Sequence, residues 1–366
     1  MYPGKYTQLH AEQAAFIMAG SGEAVTHAEL EQRSNRLAHL LRAQGLQRLD
    51  HYAVFMENNN RFIEACSAGE RSGLYYTCAN SYLTADELAT IVNNSESQVL
   101  ITSQSRRDVA EQALLQCPRV KLCLVVDAQD GASARRVASA MVQDFAAATA
   151  AYPATPIPDQ WLGSAMLYSS GTTGRPKGVA RAFTPEPLDT AGGAVSPLLT
   201  LLFGFTRESS YLSPAPLYHA APLRFCMSAH ALGGTVVVME HFDPLDYLRL
   251  LERYRLTHTQ VVPTMLVRLL KLAPGDRTRY DTSSLQCIVH AAAPCPVQVK
   301  KQIIEWFGPV VHEYYAGTEG NGFVYCNSDA WMGHKGTVGQ ALLGVIHIVS
   351  DEGEELPVGG EGTIYF

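Results

Sequence analysis

Apolar and polar residues are spaced along the N-terminal half of the chain in a way that favours alternating helices and strands. The clearest helical pattern covers residues 26–45 (THAELEQRSNRLAHLLRAQG), where four leucines fall on one helical face. Thr26 stands three residues before Glu29, which is the spacing of a capping box, and Gly45 closes the stretch. The pattern therefore predicts a capped amphipathic helix.

Short apolar runs and amphipathic stretches continue to alternate after this helix. Strands are predicted at 52–56, 99–102 and 120–127, and helices at 61–72, 83–94 and 106–117. A strand, a helix and a second strand in succession favour parallel strand pairing. We expect a layered α/β fold with mostly parallel sheets and helices packed on them.

Residues 147–160 contain three prolines and are typical of a connector between lobes. We expect a first α/β lobe at 1–160, a second at 161–338 and the start of a β region at 339–366. An active cleft is expected between the two lobes, at the carboxyl ends of the strands.

The least polar region, 211–239, could in principle cross a membrane. Arg224, three prolines and two histidines interrupt it, which a spanning helix would hardly tolerate. A buried helix followed by a strand is the better prediction, without a transmembrane segment.

Composition narrows the classes of function. With 47% hydrophobic and 17% charged residues, the 366-residue chain resembles an ordinary globular enzyme. Its net charge of -7 argues against nucleic-acid binding and favours a small-molecule substrate. The eight cysteines form no CxxC pair, and the N-terminus lacks a secretory pattern. We expect buried thiols, no zinc site and a cytoplasmic location.

Residues 168–179 read YSSGTTGRPKGV, and seven of these twelve residues are Ser, Thr or Gly. Such small residues let the backbone curl around an anion, and Lys177 adds a charge for outer phosphates. Gly178 follows the lysine where a Walker loop has Ser or Thr. The segment is either a different kind of phosphate loop or an ordinary surface turn.

The order of residues in YSSGTTGRPKG closely resembles the signature of the adenylate-forming superfamily. That superfamily includes acyl-CoA and aryl-CoA synthetases, luciferases and the adenylation domains of peptide synthetases. The resemblance implies that the loop binds the phosphates of ATP through Ser169, Ser170, Gly171, Thr172, Thr173, Gly174 and Lys177.

A second segment, 312–320 (HEYYAGTEG), resembles the second signature of the same family. The resemblance implies that Tyr315 stacks on adenine, Thr318 bonds the α-phosphate and Glu319 binds Mg²⁺, with Thr172 as the other metal residue. An aromatic face suits a purine, and a carboxylate is a hard oxygen ligand. For the segment taken alone, an ordinary turn with a solvated glutamate is the alternative interpretation. The nucleotide-contacting residues implied here are Tyr314, Tyr315, Ala316, Gly317 and Thr318.

Between these two segments, residues 290–296 (HAAAPCP) resemble the small-residue turn of the family. Its backbone would border the adenine and the acyl pocket, through Ala291, Ala292, Ala293 and Pro294. A strand that ends in a proline turn is the plainer interpretation and is compatible with that role.

Residues 215–223 (APLYHAAPL) bear on the substrate. The amino-acid-activating branch carries an aspartate in this region, whereas the sequence has none between Ser209 and Met239. The segment instead resembles fatty-acid and aryl-acid ligases, in which the histidine, here His219, lies near the reacting carboxylate and gates the acyl pocket. A lone histidine among apolar residues is otherwise a core residue more often than a catalytic one.

The resemblance implies an AMP-forming acid–CoA ligase that uses ATP, Mg²⁺ and coenzyme A on a fatty or other apolar acid, with His219, Thr318 and Glu319 in catalytic roles. Two alternatives stay open: a ligase that loads a carrier protein, and an adenylate-binding module without turnover. The chain resembles the large N-terminal domain of the family alone. We therefore expect it to lack the C-terminal lysine and to form thioester slowly.

Overall fold

The computed structural model describes residues 10–129, 134–169, 177–180, 188 and 195–366. The chain divides into two compact units, Met1–Phe242 and Asp243–Phe366. This division differs in position from the lobes expected at 1–160 and 161–338, which stay a prediction.

The first unit contains most of the helices and strands expected from the N-terminal sequence. Its strands are β1 (Ala14–Met18), β2 (Ala24–Thr26), β3 (His51–Phe55), β4 (Tyr75–Cys78), β5 (Val99–Ser103), β6 (Leu122–Val126), β7 (Arg135–Val137), β8 (Ala140–Asp144), β9 (Ser164–Ala165), β10 (Leu167–Ser169), β11 (Lys177–Val179), β12 (Ser210–Ser213) and β13 (Thr235–Val238). Its helices are α1 (His27–Ala43), α2 (Phe62–Ser72), α3 (Ala85–Asn94), α4 (Arg107–Leu114), α5 (Phe145–Ala150), α6 (Val195–Phe203) and α7 (Ala220–Ala231).

A largely parallel sheet forms the centre of this unit, with the described strands in the order β7-β8-β6-β5-β3-β4-β9. Strands β3, β4, β5, β6, β8 and β9 pair in parallel, and β7 joins β8 in antiparallel orientation. Leu88 and Val92 of α3 and Leu114 of α4 pack on one face, against Leu100 and Val125 of the sheet. The parallel arrangement predicted from the sequence is confirmed.

A second group of strands in the same unit has the order β12-β13-β1-β2. Strand β13 is parallel to β12 and β1, whereas β2 is antiparallel to β1. Helix α7 and strand β13 occupy most of the apolar region 211–239, and its helix is buried on most of its positions. The predicted buried helix with a following strand is confirmed. In the described part of the chain, no helix has both the length and the apolar character that a bilayer crossing requires.

The predicted helix over 26–45 is observed as α1, with the predicted ends. The Thr26 hydroxyl accepts a hydrogen bond from the Glu29 amide at 3.1 Å, and the Glu29 carboxylate accepts one from the Thr26 amide at 2.9 Å. Gly45 adopts a left-handed φ of 90°, which suits a residue without a side chain just past a helix end.

The proline-containing stretch 147–160 is held against helix α1. The Arg36 guanidinium donates to the Tyr152 carbonyl at 2.6 Å, and Arg42 pairs with Asp159 at 3.0 Å. These contacts fix the stretch to helix α1, so it is an attached segment of this unit.

The second unit contains a further group of strands in mixed orientation. Its strands are β14 (His258–Val261), β15 (Cys287–His290), β16 (Val311–Ala316), β17 (Phe323–Asn327), β18 (Gln340–Leu343), β19 (His347–Val349) and β20 (Thr363–Tyr365). Its helices are α8 (Pro244–Arg253), α9 (Pro263–Leu270), α10 (Pro274–Arg277), α11 (Val297–Phe307) and α12 (Ser328–Gly333). Strands β14, β15 and β16 are parallel neighbours, β17 and β18 continue the sheet in antiparallel orientation, and β19 pairs with β20.

Candidate active site

The predicted phosphate loop joins strands β10 and β11. These strands form an antiparallel ladder in which Ser169 lies opposite Lys177 and Tyr168 opposite Gly178. The ladder places Lys177, which is exposed, at the base of the loop. A Cβ on Gly178 would lie 2.5 Å from the Met166 methyl carbon and 2.9 Å from the Tyr168 ring, so a larger residue would have to displace these side chains.

Most of the loop itself lies outside the described residues. This applies to Ser170, Gly171, Thr172, Thr173 and Gly174. The side chain of Ser169 is likewise outside the description. Their predicted phosphate contacts, and the predicted metal role of Thr172, stay predictions.

The small-residue turn begins where strand β15 ends. Ala291 is buried, whereas Ala292, Ala293 and Pro294 are exposed. Ala292 has a φ of 74°, a left-handed conformation that an alanine adopts at a cost of about 1–3 kcal/mol. The surrounding structure therefore holds this turn in a strained conformation, and its residues 292–294 are exposed to solvent.

The second signature segment, 312–320, lies partly in strand β16 and extends past its end. Tyr314 stacks on Phe323 at 5.3 Å between ring centroids, whereas Tyr315 points to the other face of the strand and is 44% exposed. A turn follows, closed by a hydrogen bond from the Gly320 amide to the Gly317 carbonyl at 3.2 Å. Thr318 is half-buried in this turn.

Glu319 is exposed in the same turn, and its carboxylate folds back over Gly317. A Cβ on Gly317 would lie 3.0 Å from the Glu319 Oε2 atom, so the absence of a side chain leaves room for the carboxylate. Among the described residues, no cluster of three His, Cys, Asp or Glu side chains could hold a metal ion. Magnesium bound with nucleotide phosphates needs just one or two protein carboxylates, so the donor that Glu319 supplies fits this ion.

The structure brings two of the predicted segments to one edge of the sheet. Strands β15 and β16 are parallel neighbours with His290 opposite Glu313. The turn at 291–294 and the segment 315–319 therefore both follow the carboxyl ends of adjacent strands, where α/β sheets bind ligands. Backbone groups, an aromatic face, a hydroxyl and a carboxylate are available together at this edge.

His219 lies in the first unit, at the residue that precedes helix α7. The Tyr218 ring lies 4.6 Å from the imidazole between centroids. The residue keeps access to solvent, yet desolvation by the surrounding protein lowers the pKa of its imidazole below the ordinary value. The ring is therefore neutral near pH 7.

Sequence reasoning missed Asn58, which holds the segment that leads to His219. The buried Asn58 amide donates to the carbonyls of Ala215 at 3.1 Å and Met239 at 2.8 Å, and it accepts from the Leu217 amide at 2.8 Å. The run ENNN at 57–60 was the available signal, but nothing in it shows which asparagine is buried.

A second group that sequence reasoning missed is the buried ion pair of Lys300 and Glu313, close to the sheet edge that the turn at 291–294 and the segment 315–319 share. A signal for it was present in the sequence. Lys300 shares the buried face of helix α11 with Ile303, where the spacing of apolar positions calls for an apolar residue.

Comparison with known proteins agrees with this geometry. The family described as AMP-binding enzyme matches residues 5–366, and this chain belongs to it. The chain is 26% identical over 336 residues to 2-succinylbenzoate–CoA ligase of Bacillus subtilis, with 92% of this chain and 62% of that protein covered. It is 29% identical over 356 residues to feruloyl-CoA synthase of an Amycolatopsis species, with 94% and 65% covered.

A solved structure shows the same architecture. The Bacillus subtilis o-succinylbenzoate CoA synthetase, in complex with an acyl-adenylate intermediate, superposes with a TM-score of 0.77 at 25% identity, covering 99% of this chain and 68% of that one. The expected α/β fold of adenylate-forming enzymes is thereby confirmed. The chain spans less than two thirds of the length of the two relatives named above.

Proposed function

We propose that this chain carries the nucleotide-binding and acid-binding part of an ATP-dependent acid–CoA ligase. The observation that carries the proposal is the common edge formed by the turn at 291–294 and the segment 315–319. The exposed Tyr315 face suits adenine, the open backbone of the turn suits its rim, and Glu319 suits magnesium. Membership of the AMP-binding family supports this assignment.

In the first reaction, a carboxylate oxygen of the acid attacks the α-phosphorus of ATP. A bond forms between oxygen and phosphorus, and the bond to the departing pyrophosphate breaks. Thr318 donates a hydrogen bond to the α-phosphate, while Lys177 and the loop at 169–174 hold the pyrophosphate. Magnesium, held by Glu319, would supply positive charge against the phosphate oxygens. The chain's contribution is chiefly positioning and charge stabilisation.

In the second reaction, the thiol sulfur of coenzyme A attacks the carbonyl carbon of the acyl-adenylate. The thioester bond forms, AMP leaves with the bonding electron pair, and the thiol proton passes to the surroundings. His219 lies near the reacting carboxylate in this proposal. Its neutral ring offers a hydrogen bond there without placing a fixed charge beside the acid.

The proposed acid is apolar. Close to His219 in the sequence, the residues Leu217, Phe225 and Met227 are buried, and the rings of Phe203 and Phe225 lie 5.8 Å apart between centroids. The relatives named above act on succinylbenzoate and form feruloyl-CoA, which supports an acid with a ring or a chain and no ammonium group. The lack of any Asp between Ser209 and Met239 argues against an amino acid.

Binding of adenylate mimics tests this proposal directly. Isothermal titration of the purified chain would use ATP and a series of acyl-sulfamoyl adenosines with fatty, aromatic and aminoacyl groups. We expect ATP to bind, and the fatty and aromatic mimics to bind more tightly than the aminoacyl ones. Failure to bind ATP and every mimic, or a preference for aminoacyl groups, would refute the proposal.

The acceptor is tested by product analysis. The chain would be supplied with ATP, the best acid of the series and either coenzyme A or a phosphopantetheinyl carrier protein. Thioester on coenzyme A is the expected product. Exclusive transfer to the carrier protein would assign the chain to the other kind of ligase.

A further inference from the structure

A buried ion pair lies beneath the proposed nucleotide edge. The Lys300 ammonium donates to the Glu313 Oε2 atom at 2.6 Å, and the two side chains are 0% and 8% exposed. Lys300 also lies over the Trp331 ring, with Nζ 5.2 Å from the centroid. Both charges are therefore removed from water, and they face each other and an aromatic surface.

Such a pair is weak evidence for a role in stability. The cost of taking two charges out of water can exceed their mutual attraction, and apolar residues of similar volume often replace a buried pair without loss. Polar or ionic groups in a core can instead specify one geometry among several. The position of this pair indicates that it specifies how strands β15 and β16 separate after their last paired residues.

The pair joins the two segments at the point where they separate. The β15–β16 ladder ends with His290 opposite Glu313, after which β15 turns away and β16 continues. Lys300 is the fourth residue of helix α11, which begins shortly after the loop that follows β15. Its backbone N–H donates a hydrogen bond to the Pro296 carbonyl at 3.1 Å. The pairing of β15 with β16 ends at His290 and Glu313. From that point on, the ion pair of Lys300 and Glu313 directly connects helix α11 to strand β16.

His290 completes the group. Its Nε2 atom lies 3.7 Å from the Glu313 Oε2 atom, and neither ring nitrogen has a hydrogen-bond partner among the described residues. Burial, followed by the nearby Lys300 charge, lowers the pKa of its imidazole to about 3. The ring is therefore neutral near pH 7, so it adds no charge to the ion pair of Lys300 and Glu313.

We propose that Lys300 and Glu313 are positioning residues that set the separation between the turn at 291–294 and the segment 315–319, and thereby the width of the adenine slot. This inference rests on the proposed function, since it assigns the adenine to that edge. The pair touches no substrate in this proposal. It acts through the backbone on which Ala292 and Tyr315 are mounted.

A double variant separates positioning from stability. Removing one partner, as in Glu313→Met, leaves an uncompensated buried charge and should lower the free energy of unfolding strongly. The double variant Lys300→Met with Glu313→Met removes both charges and should recover most of that loss. We nevertheless expect its Kd for ATP to rise about tenfold, by analogy with the loss that follows removal of the groups supporting metal ligands.

Inorganic tripolyphosphate and a surface pair serve as controls. Tripolyphosphate lacks the base, so its Kd should stay unchanged in the double variant. The exposed pair of Lys301 and Glu305, at 3.5 Å on the same helix, should tolerate the same two substitutions to Met with no change in either Kd.

Four outcomes would overturn the inference. A stable double variant with the native Kd for ATP would show that the pair has no positioning role, and an equal loss of tripolyphosphate binding would show general disruption. If the native chain itself binds no ATP, the proposed function falls and this inference with it. Should the double variant not fold, Glu313→Asp decides, because it keeps both charges and retracts the carboxylate by one methylene. A native Kd for ATP in that variant would also overturn the inference.

Discussion

Asn58 shows how a single buried amide can hold several strands in place. It satisfies three backbone groups, on Ala215, Leu217 and Met239, which follow two different strands of the first unit. Both N–H donors of the amide and its oxygen are engaged in these bonds, at a buried position. The segment that carries His219 therefore takes its position from a residue far away in the sequence.

Replacing Asn58 with Ala should lower the free energy of unfolding by at least about 2 kcal/mol. Three buried backbone groups would lose their partners, at about 1–3 kcal/mol for each group that stays unpaired. Urea unfolding followed by circular dichroism measures the change. Asn93→Ala is the matched control, since the Asn93 amide makes one exposed bond to the Gln116 carbonyl. Equal stability of the two variants would contradict the role given to Asn58.

Lys177→Ala should weaken ATP binding with little effect on folding. Lys177 is exposed at the base of the predicted phosphate loop, and loss of one charge-assisted contact costs about 1.5–3 kcal/mol. That corresponds to a Kd for ATP raised by about tenfold to a hundredfold. Titration calorimetry compares it with Lys335→Ala, which removes an exposed lysine elsewhere. An unchanged Kd in Lys177→Ala would remove the lysine from the phosphate site.

Glu319→Gln should raise the magnesium concentration needed for ATP binding severalfold. The substitution keeps the shape of the side chain and removes the charge that a hard cation prefers. Nucleotide binding without metal should change little. Magnesium titrations of the native chain, of this variant and of the exposed control Glu361→Gln measure the effect. Superimposable curves for all three proteins would show that Glu319 is not the metal carboxylate.

Helices and strands follow the sequence most closely where their signals are local. The capping boxes of α1 and α3 each form between residues three positions apart, at Thr26 with Glu29 and at Thr84 with Glu87. Such contacts exist as soon as the helix does, so the sequence alone predicts them. The packing of one element on another depends instead on short distances between atoms that are far apart in the sequence, and no local pattern predicts these distances.

Gly163, just before strand β9, is such a close approach. A Cβ at this position would lie 2.1 Å from the Gly69 carbonyl oxygen and 2.6 Å from that of Leu74. Gly163→Ala should therefore displace β9 from β4 and cost about 1–3 kcal/mol or more, because the obstructing atoms are backbone. Thermal unfolding compares it with Gly275→Ala, where nothing lies within 4 Å of the added carbon. A native melting temperature in Gly163→Ala would contradict this packing.

The chain as a whole should lose stability as the pH falls from 7.5 to 5.5. Burial lowers the pKa of His230 to about 3 and of His312 to about 4. Six described histidines have a lowered pKa: His27, His51, His219, His230, His290 and His312. At pH values near and below the ordinary histidine pKa of about 6.5, the unfolded chain binds protons that the folded chain does not bind. The free energy of unfolding therefore falls as the pH falls.

Denaturant unfolding at the two pH values measures this effect. The buried Glu64 carboxyl has a raised pKa and works in the opposite direction, but it is one group against six. His230→Gln should reduce the pH dependence, because glutamine does not titrate. Equal or greater stability at pH 5.5 would refute the prediction.

The sequence alone predicts many of the local features of this protein. Apolar periodicity predicts the parallel sheet of the first unit, and YSSGTTGRPKG and HEYYAGTEG carry the family resemblance. These signals are readable because each depends on neighbours within one helical turn, one strand or one loop. The contacts predicted for the loop at 170–174 remain predictions.

Other features depend on partners that folding brings together. Asn58 bonds residues 157 to 181 positions away, and Lys300 meets Glu313 across a helix and a strand. In the sequence, Asn58 is one of three consecutive asparagines, and Lys300 is a lysine on one face of a helix. Burial and a specific partner come from packing in three dimensions, since desolvation and hydrogen-bond geometry have no counterpart in the spacing of residues along the chain.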